Sequence, residues 1–180
     1  MSPDPSREPS RGRGRRWGRV PTPRVEVAPG EKVLAAATAA DGTVMAGTRD
    51  AFYVVSGAAT RRVPWEQVEA AGWDRDTDTF RLSEVGTWGE QRPVHTAQLD
   101  EPGRLLELVH ERVTASVVLQ RHVRIARGRG LRVIARRAPS GAGGVQWIYE
   151  YDEGVEPEDP DVRAAAREAL DLARRDVGLP

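Results

Sequence analysis

Between Val25 and Leu99 the chain alternates short apolar segments with turn residues, and none of these segments has the length of an ordinary helix. The segment "KVLAAATAA" is followed by Asp41 and Gly42, and then by "TVMAGT" and "AFYVVSG". An Asp-Gly pair between two apolar segments is typical of a tight turn. The pattern therefore predicts a β-hairpin at the start of a run of strands.

The stretch "RRVPWEQVEAAGWDRDTDTFRL" could be either a site or a corner of a β-domain. Pro64 cannot donate a hydrogen bond to a sheet, so it marks a strand end or an edge, and Val63, Trp65 and Val68 supply apolar anchors around it. The polar segment "DRDTDT" then predicts a turn that joins "VEAAGW" to "FRLSEV", because Asp side chains bind nearby backbone N–H groups. A last strand, "RPVHTAQL", follows. We interpret the stretch as a corner.

From Asp100 the apolar period changes from two to about 3.6, which predicts an amphipathic helix with Asp100 as its N-cap. The apolar positions of this helix are Leu105, Leu106, Val109, Val113 and Val117. We expect the helix to end near Arg121. The alternative is an earlier end followed by another strand, because "VVLQRHVRI" is rich in β-branched residues.

Two further elements are predicted after this helix. The segments "GLRVIARRA" and "VQWIYEYD" flank the Gly-rich "PSGAGG" and predict a β-hairpin. The last predicted element is a helix with Asp159 as N-cap, Pro160 at its first position and Gly178 at its C-terminal cap. Alternate positions of the second hairpin strand form a row that predicts a packed strand face: Val145, Trp147, Tyr149 and Tyr151.

The order of about seven strands and a helix resembles that of a pleckstrin-homology-like (PH-like) domain. Locally, Thr48 followed by the strand Phe52 to Val55, and then Val63-Pro64-Trp65 with Val68, resembles bacterial PH-like families. The resemblance covers residues 30–121. It implies a PH-like barrel of about seven antiparallel strands capped by an amphipathic helix. With the C-terminal β-hairpin and helix, the predicted class is α+β, mainly β.

We therefore expect three parts. Residues 1–24 form an Arg-, Pro-, Gly- and Ser-rich arm that buries little apolar surface and is predicted to be disordered. Residues 25–122 form the PH-like domain, and residues 123–180 form the hairpin and helix extension. Because the sequence contains no spanning segment and no signal peptide, we expect a cytoplasmic protein.

The sequence contains no metal-binding, cofactor-binding or catalytic motif that would predict an enzyme. The chain has no cysteine. Asp74, Asp76 and Asp78 match the first three ligand positions of a calcium loop, but Thr79 and Val85 stand where the loop needs Gly and Glu. The three histidines have no metal-ligand spacing, and no nucleophile or phosphate-loop motif occurs. We expect no cofactor.

The resemblance also bears on lipid ligands. Phosphoinositide-binding PH domains carry cations around the first hairpin loop, because each phosphate needs charged donors. Here that loop is "TAADGTV", which contains no cation. We therefore do not expect specific phosphoinositide binding.

Arginine is concentrated in two parts of a chain whose net charge is zero, and the first is residues 1–27, with seven Arg against three acidic residues. Residues 104–137 contain nine Arg against two Glu, a net charge of +7. A basic interaction surface is predicted at Arg121, Arg124, Arg127, Arg129, Arg132, Arg136 and Arg137. Glu150 and Asp152 on the partner strand could instead neutralise part of it, and we favour that interpretation over a nucleic-acid surface.

These observations predict a non-enzymatic PH-like protein-interaction or regulatory module whose partner is another protein of unknown identity. The alternative is a nucleic-acid-associated protein that uses the Arg-rich arm and the segment from Arg121 to Arg137. A third hypothesis, an enzyme with a site that the sequence does not reveal, is the least favoured.

Overall fold

The computed structural model describes residues 23–86, 91–126 and 128–178. Within these residues the chain forms ten strands in three antiparallel sheets and two α-helices. The predicted α+β, mainly β class is confirmed. Almost all of the predicted disordered arm, residues 1–22, lies outside the described residues.

The first sheet is a four-stranded meander in which each strand pairs with the next one in sequence. Gly42 has φ +85° at the predicted Asp-Gly turn, and its N–H donates to the carbonyl of Ala39 over 2.9 Å, so the predicted hairpin is confirmed. The strands are β1 (Ala35–Thr38), β2 (Val44–Gly47), β3 (Ala51–Ser56) and β4 (Ala59–Pro64).

The predicted corner follows directly. β4 ends at Pro64, a single 3-10 turn covers Trp65–Gln67, and Trp65 is fully buried. The Trp65 indole N–H donates to the carbonyl of Thr48 over 3.1 Å, and its ring meets the Phe52 ring edge-on with centroids 5.9 Å apart. Thr48 in turn accepts the backbone N–H of Ala51 over 3.0 Å. Thr48, Phe52 and Trp65 thus hold this corner together.

The second sheet is a three-stranded meander of β5 (Val68–Asp74), β6 (Thr79–Glu84) and β7 (Val94–Gln98). The carboxylate of Asp74 accepts the backbone N–H of Asp76 over 2.9 Å, which closes the predicted β5–β6 turn. Asp76 is exposed, and the "DRDTDT" segment is a turn as predicted.

The helix α1 (Arg104–Ser116) begins later than predicted. Its N-cap is Gly103, which makes no side-chain cap, so the assignment of Asp100 as N-cap was wrong. Pro102 gives the reason, because a residue that precedes proline is disfavoured in the helical region. Glu101 therefore cannot belong to the first turn.

The C-terminal part is a third sheet covered by a helix. α1 ends at Ser116 and runs directly into β8 (Val117–Ala126), so the alternative of an earlier helix end and another strand is confirmed. The predicted domain boundary at residue 122 lies inside β8, which joins the predicted hairpin of β9 (Arg129–Arg136) and β10 (Gln146–Tyr151). The order in this sheet is β10-β9-β8.

The final helix, α2 (Pro160–Asp176), begins as predicted, but its C-cap is Val177, one residue before the predicted Gly178. The Asp159 carboxylate accepts the backbone N–H of Asp161 over 2.8 Å, and Gly178 adopts φ +72° beyond the last turn. Two alanines of the helix, Ala169 and Ala173, pack against β8 and β9. The predicted aromatic row belongs to this core, since Trp147, Tyr149 and Tyr151 pack against it.

The larger core lies between the first two sheets and α1. Its largest fully buried side chains are Met45, Phe52, Trp65, Phe80, Leu82, Leu99 and Leu105. A smaller cluster lies on another part of the first sheet, where Val25, Val27 and Val33 pack against the buried Ala46, Ala51 and Tyr53. The segment before β1 thus covers part of the sheet.

Candidate functional site

The arginines of the predicted basic surface lie on β8, on β9 and beside them. Arg121 forms an ion pair with Asp176 of α2 at 2.5 Å, and Arg132 forms one with Glu150 of β10 at 3.4 Å. Arg127 lies outside the described residues. The predicted neutralisation by Glu150 therefore occurs, whereas Asp152 binds His122 over 3.0 Å instead of an arginine.

Arg136 is 5% exposed, so it does not belong to a surface. Its guanidinium donates to the carbonyl of Val68 over 2.5 Å, to the carbonyl of Glu69 over 3.1 Å and to Ser116 Oγ over 3.1 Å. These acceptors lie at the start of β5 and at the end of α1. The side chain thus ties the third sheet to both the second sheet and the helix.

Further charges surround this junction. Burial raises the pKa of Glu69. The positive charges of Arg92 and Arg136 act to lower this pKa, and the negative charge of Glu150 acts to raise it. An Arg92 guanidinium nitrogen lies 2.6 Å from the Glu69 carboxylate. Burial lowers the pKa of Arg136, whereas the negative charges of Glu150 and Glu69 act to raise it. The junction is a network of partly desolvated charges, in which Arg92 and Arg136 favour the charged form of Glu69 and Glu150 opposes it.

Three members of the predicted surface, Arg124, Arg129 and Arg137, are exposed and form no ion pair within the part of the chain that the structure describes. Arg129 begins β9 and Arg137 directly follows its end, eight positions later, which corresponds to about 26 Å along a strand. The seven arginines therefore do not form one continuous patch.

Two carboxylates with largely buried side chains, one on β6 and one before β1, were not anticipated from the sequence. Glu84 binds Arg61 over 2.5 Å and His95 over 2.7 Å. Burial acts to raise the pKa of Glu84, but the hydrogen bonds from Arg61 and His95 outweigh it, and the pKa is lowered. The partners come from β4, β6 and β7, so this cluster joins the first sheet to the second.

Glu31 is the second such carboxylate. It accepts hydrogen bonds from Thr48 Oγ1 at 2.5 Å, from the Tyr53 hydroxyl at 3.1 Å and from the Arg62 guanidinium at 2.7 Å. Burial acts to raise its pKa, but these bonds lower it. No sequence spacing could have revealed either cluster, because the partners are distant in sequence and meet only in the folded chain. Both clusters have the geometry of structural ion pairs.

The grooves of the described surface differ in polarity. An apolar groove of about 190 Å³ lies between α1 and β5 and is lined by Trp73, Phe80, Val109, His110 and Val113 among others. A groove of about 230 Å³ beside the first hairpin is lined by Asp41, Thr79, Thr96 and Gln98 with three alanines, so its described lining contains no cation.

No cluster of three or more His, Asp or Glu side chains suited to a metal ion occurs within residues 23–86, 91–126 and 128–178. Over the same residues, no helix combines the length and apolarity needed to cross a membrane. Comparison with protein-family models, with curated proteins and with solved structures found no match.

Proposed function

We propose that the protein is a cytoplasmic, non-enzymatic interaction module with a PH-like domain, and that its partner is another protein. The observation that supports this proposal best is the order of elements around the larger core. A meander of four strands and a meander of three strands are followed by α1, which packs on both. This is the order that the resemblance to PH-like families implies.

The polar groups of this unit also favour a binding role. Within the described residues, Glu31, Glu84 and Arg136 each bind two or three partners that help to hold the fold together. A catalytic group has to reach a substrate, whereas Glu84 and Arg136 connect sheets and Glu31 ties the segment before β1 to the first sheet. The proposed activity is therefore carried by surfaces of the folded chain.

The experiment is purification of the tagged full-length protein from its own cells after chemical cross-linking, followed by reconstitution of each enriched protein with the purified chain. We expect one protein to bind the purified chain with a defined stoichiometry by isothermal titration calorimetry. If enriched proteins fail to bind in reconstitution, the proposal is wrong.

A second candidate, association with nucleic acid, is favoured by the three exposed arginines that form no ion pair within the described residues, Arg124, Arg129 and Arg137. A gel-shift titration at several salt concentrations tests it, because phosphate contacts make affinity fall steeply with salt. Loss of one contact in Arg124→Ala should reduce the slope by about one. Binding that does not depend on salt would argue against this candidate.

A further inference from the structure

The outer edge of β8 is the longest strand edge in the described residues. β8 has ten residues, lies at one end of the third sheet and pairs with β9 alone. The other edge strands are shorter, and β4 ends in a proline. An unprotected edge presents a row of free N–H and C=O groups, which is a template for an added strand.

Hydrogen bonds at the start of β9 identify which backbone N–H and C=O groups of β8 point away from β9. Gly130 donates its N–H to the Asp152 carboxylate over 2.7 Å and accepts the Asp152 N–H over 3.0 Å, so its backbone faces β10. The next residue, Leu131, therefore faces β8, where it pairs with Val123. Alternation along β8 then points the backbone groups of Leu119, Arg121 and Val123 at β9.

The backbone groups of Gln120, His122 and Arg124 consequently point outward. The pairing from Leu119 to Arg124 is uninterrupted, with register shifts only at the two ends of β8. These six residues provide about 20 Å of regular edge, enough for the three outward residues to bind alternate residues of an added strand. The side chains of these three outward residues are all exposed, so the sheet face on which they lie is accessible to solvent next to this edge.

Charge selects the occupant of this edge. Arg124 is exposed and forms no ion pair within the described residues, whereas Arg121 and His122 already bind Asp176 and Asp152. A second copy that paired through the same edge would add a second unpaired Arg124, and like charges on adjacent strands are destabilising. An added strand with acidic side chains would instead meet the positive charge of Arg124.

We propose that the outer edge of β8 binds an extended acidic segment of a partner protein by strand addition. Backbone hydrogen bonds to Gln120, His122 and Arg124 supply affinity, and carboxylates beside Arg124 supply selectivity. This inference rests on the proposed function, because it assigns a chemical class and a docking position to the protein partner.

The probe is an end-blocked synthetic peptide of eight residues in which Glu and Thr alternate, and its Lys-Thr counterpart is the charge control. We expect the full-length chain to bind the Glu-Thr peptide at least about tenfold more tightly than the Lys-Thr peptide. In amide hydrogen exchange the peptide should slow Gln120, His122 and Arg124, while Leu119, Arg121 and Val123 are already protected by β9.

Two substitutions separate the edge from the charge. Gln120→Pro removes an outward N–H without removing a β8–β9 hydrogen bond, and Gln120→Ala is its matched control. We expect Gln120→Pro to weaken peptide binding at least tenfold and Gln120→Ala to leave it within about twofold. Arg124→Glu should weaken binding more than Arg81→Glu, which makes the same charge change on an exposed position of β6.

Several results would overturn the inference. It is wrong if the Glu-Thr peptide does not bind, if Gln120→Pro binds as tightly as Gln120→Ala, or if the outward amides of the wild-type chain are not slowed. The exchange measurement also decides the case if Gln120→Pro does not fold. Binding of a single-stranded oligonucleotide in place of the acidic peptide would assign the arginines to nucleic acid. Retention of a reconstituted partner by folded Gln120→Pro would refute the edge but leave the proposed function intact.

Discussion

Replacing Arg136 by alanine removes the buried cation that connects the third sheet to the rest of the chain. Three acceptors lose their donor: the carbonyls of Val68 and Glu69 and the hydroxyl of Ser116. A buried acceptor without a partner costs about 1–3 kcal/mol. Part of that loss is offset, because the folded protein no longer has to desolvate a guanidinium. We therefore expect Arg136→Ala to lower the free energy of unfolding by about 2–4 kcal/mol.

Urea denaturation followed by tryptophan fluorescence measures this loss, and Arg137→Ala is the matched control. Arg137 is the next residue in the chain and is exposed, so its truncation should change the free energy of unfolding by no more than about 0.5 kcal/mol. If Arg136→Ala shifts the unfolding midpoint no more than Arg137→Ala does, the assigned role of Arg136 is wrong.

The pH dependence of Arg136→Ala provides a second measurement. Removing the positive charge should raise the already raised pKa of Glu69 further above its usual value of 4.5. The folded state then retains a proton that the unfolded state has lost, so stability falls as the pH rises above 4.5. The destabilisation by Arg136→Ala should thus be smaller below pH 4.5 than at neutral pH.

Three further predictions concern the first two sheets. Trp65→Ala should cost about 3–5 kcal/mol in urea melts, because it empties a buried site, whereas Asp76→Ala in the exposed turn should stay within about 0.5 kcal/mol; the reverse order would contradict the corner. Glu84→Gln should lower the free energy of unfolding at neutral pH. This loss should shrink below pH 4.5, because Arg61 and His95, which lower the pKa of Glu84, stabilise the fold only while the carboxylate is charged. A deficit that is constant with pH would exclude this role. Liposome flotation should show no headgroup-selective phosphoinositide binding, because the described groove beside Asp41 has no cation in its lining; selective binding at physiological salt would refute this.

Local patterns were sufficient to predict most of the elements. The Asp-Gly turn, Pro64 at the end of β4 and the Asp159 cap of α2 are each determined by the conformational preferences of a few neighbouring residues. The end of α1 was ambiguous for a physical reason. The β-branched residues after Ser116 continue an apolar stripe but favour a strand, and only the pairing of β8 with β9 decides between the two.

The candidate site was less accessible to sequence reasoning, because it depends on contacts between distant residues. Arg132 and Arg136 lie four positions apart on one strand and look equivalent in the sequence. In the structure Arg132 meets Glu150 near solvent, while Arg136 is buried against the carbonyls of β5. The position of one sheet against another creates this difference, and no local pattern encodes it.

The meander order of all three sheets has a consequence for the rate of folding. Within the described residues every strand pairs only with strands that precede or follow it directly, so none of these pairings has to wait for a distant part of the chain. Loop closures are short, which lowers the entropic barrier that makes many β-proteins slow. The first meander can complete its pairing while later residues are still being synthesised. We therefore expect refolding to be faster than in sandwiches of similar size whose strands cross between sheets.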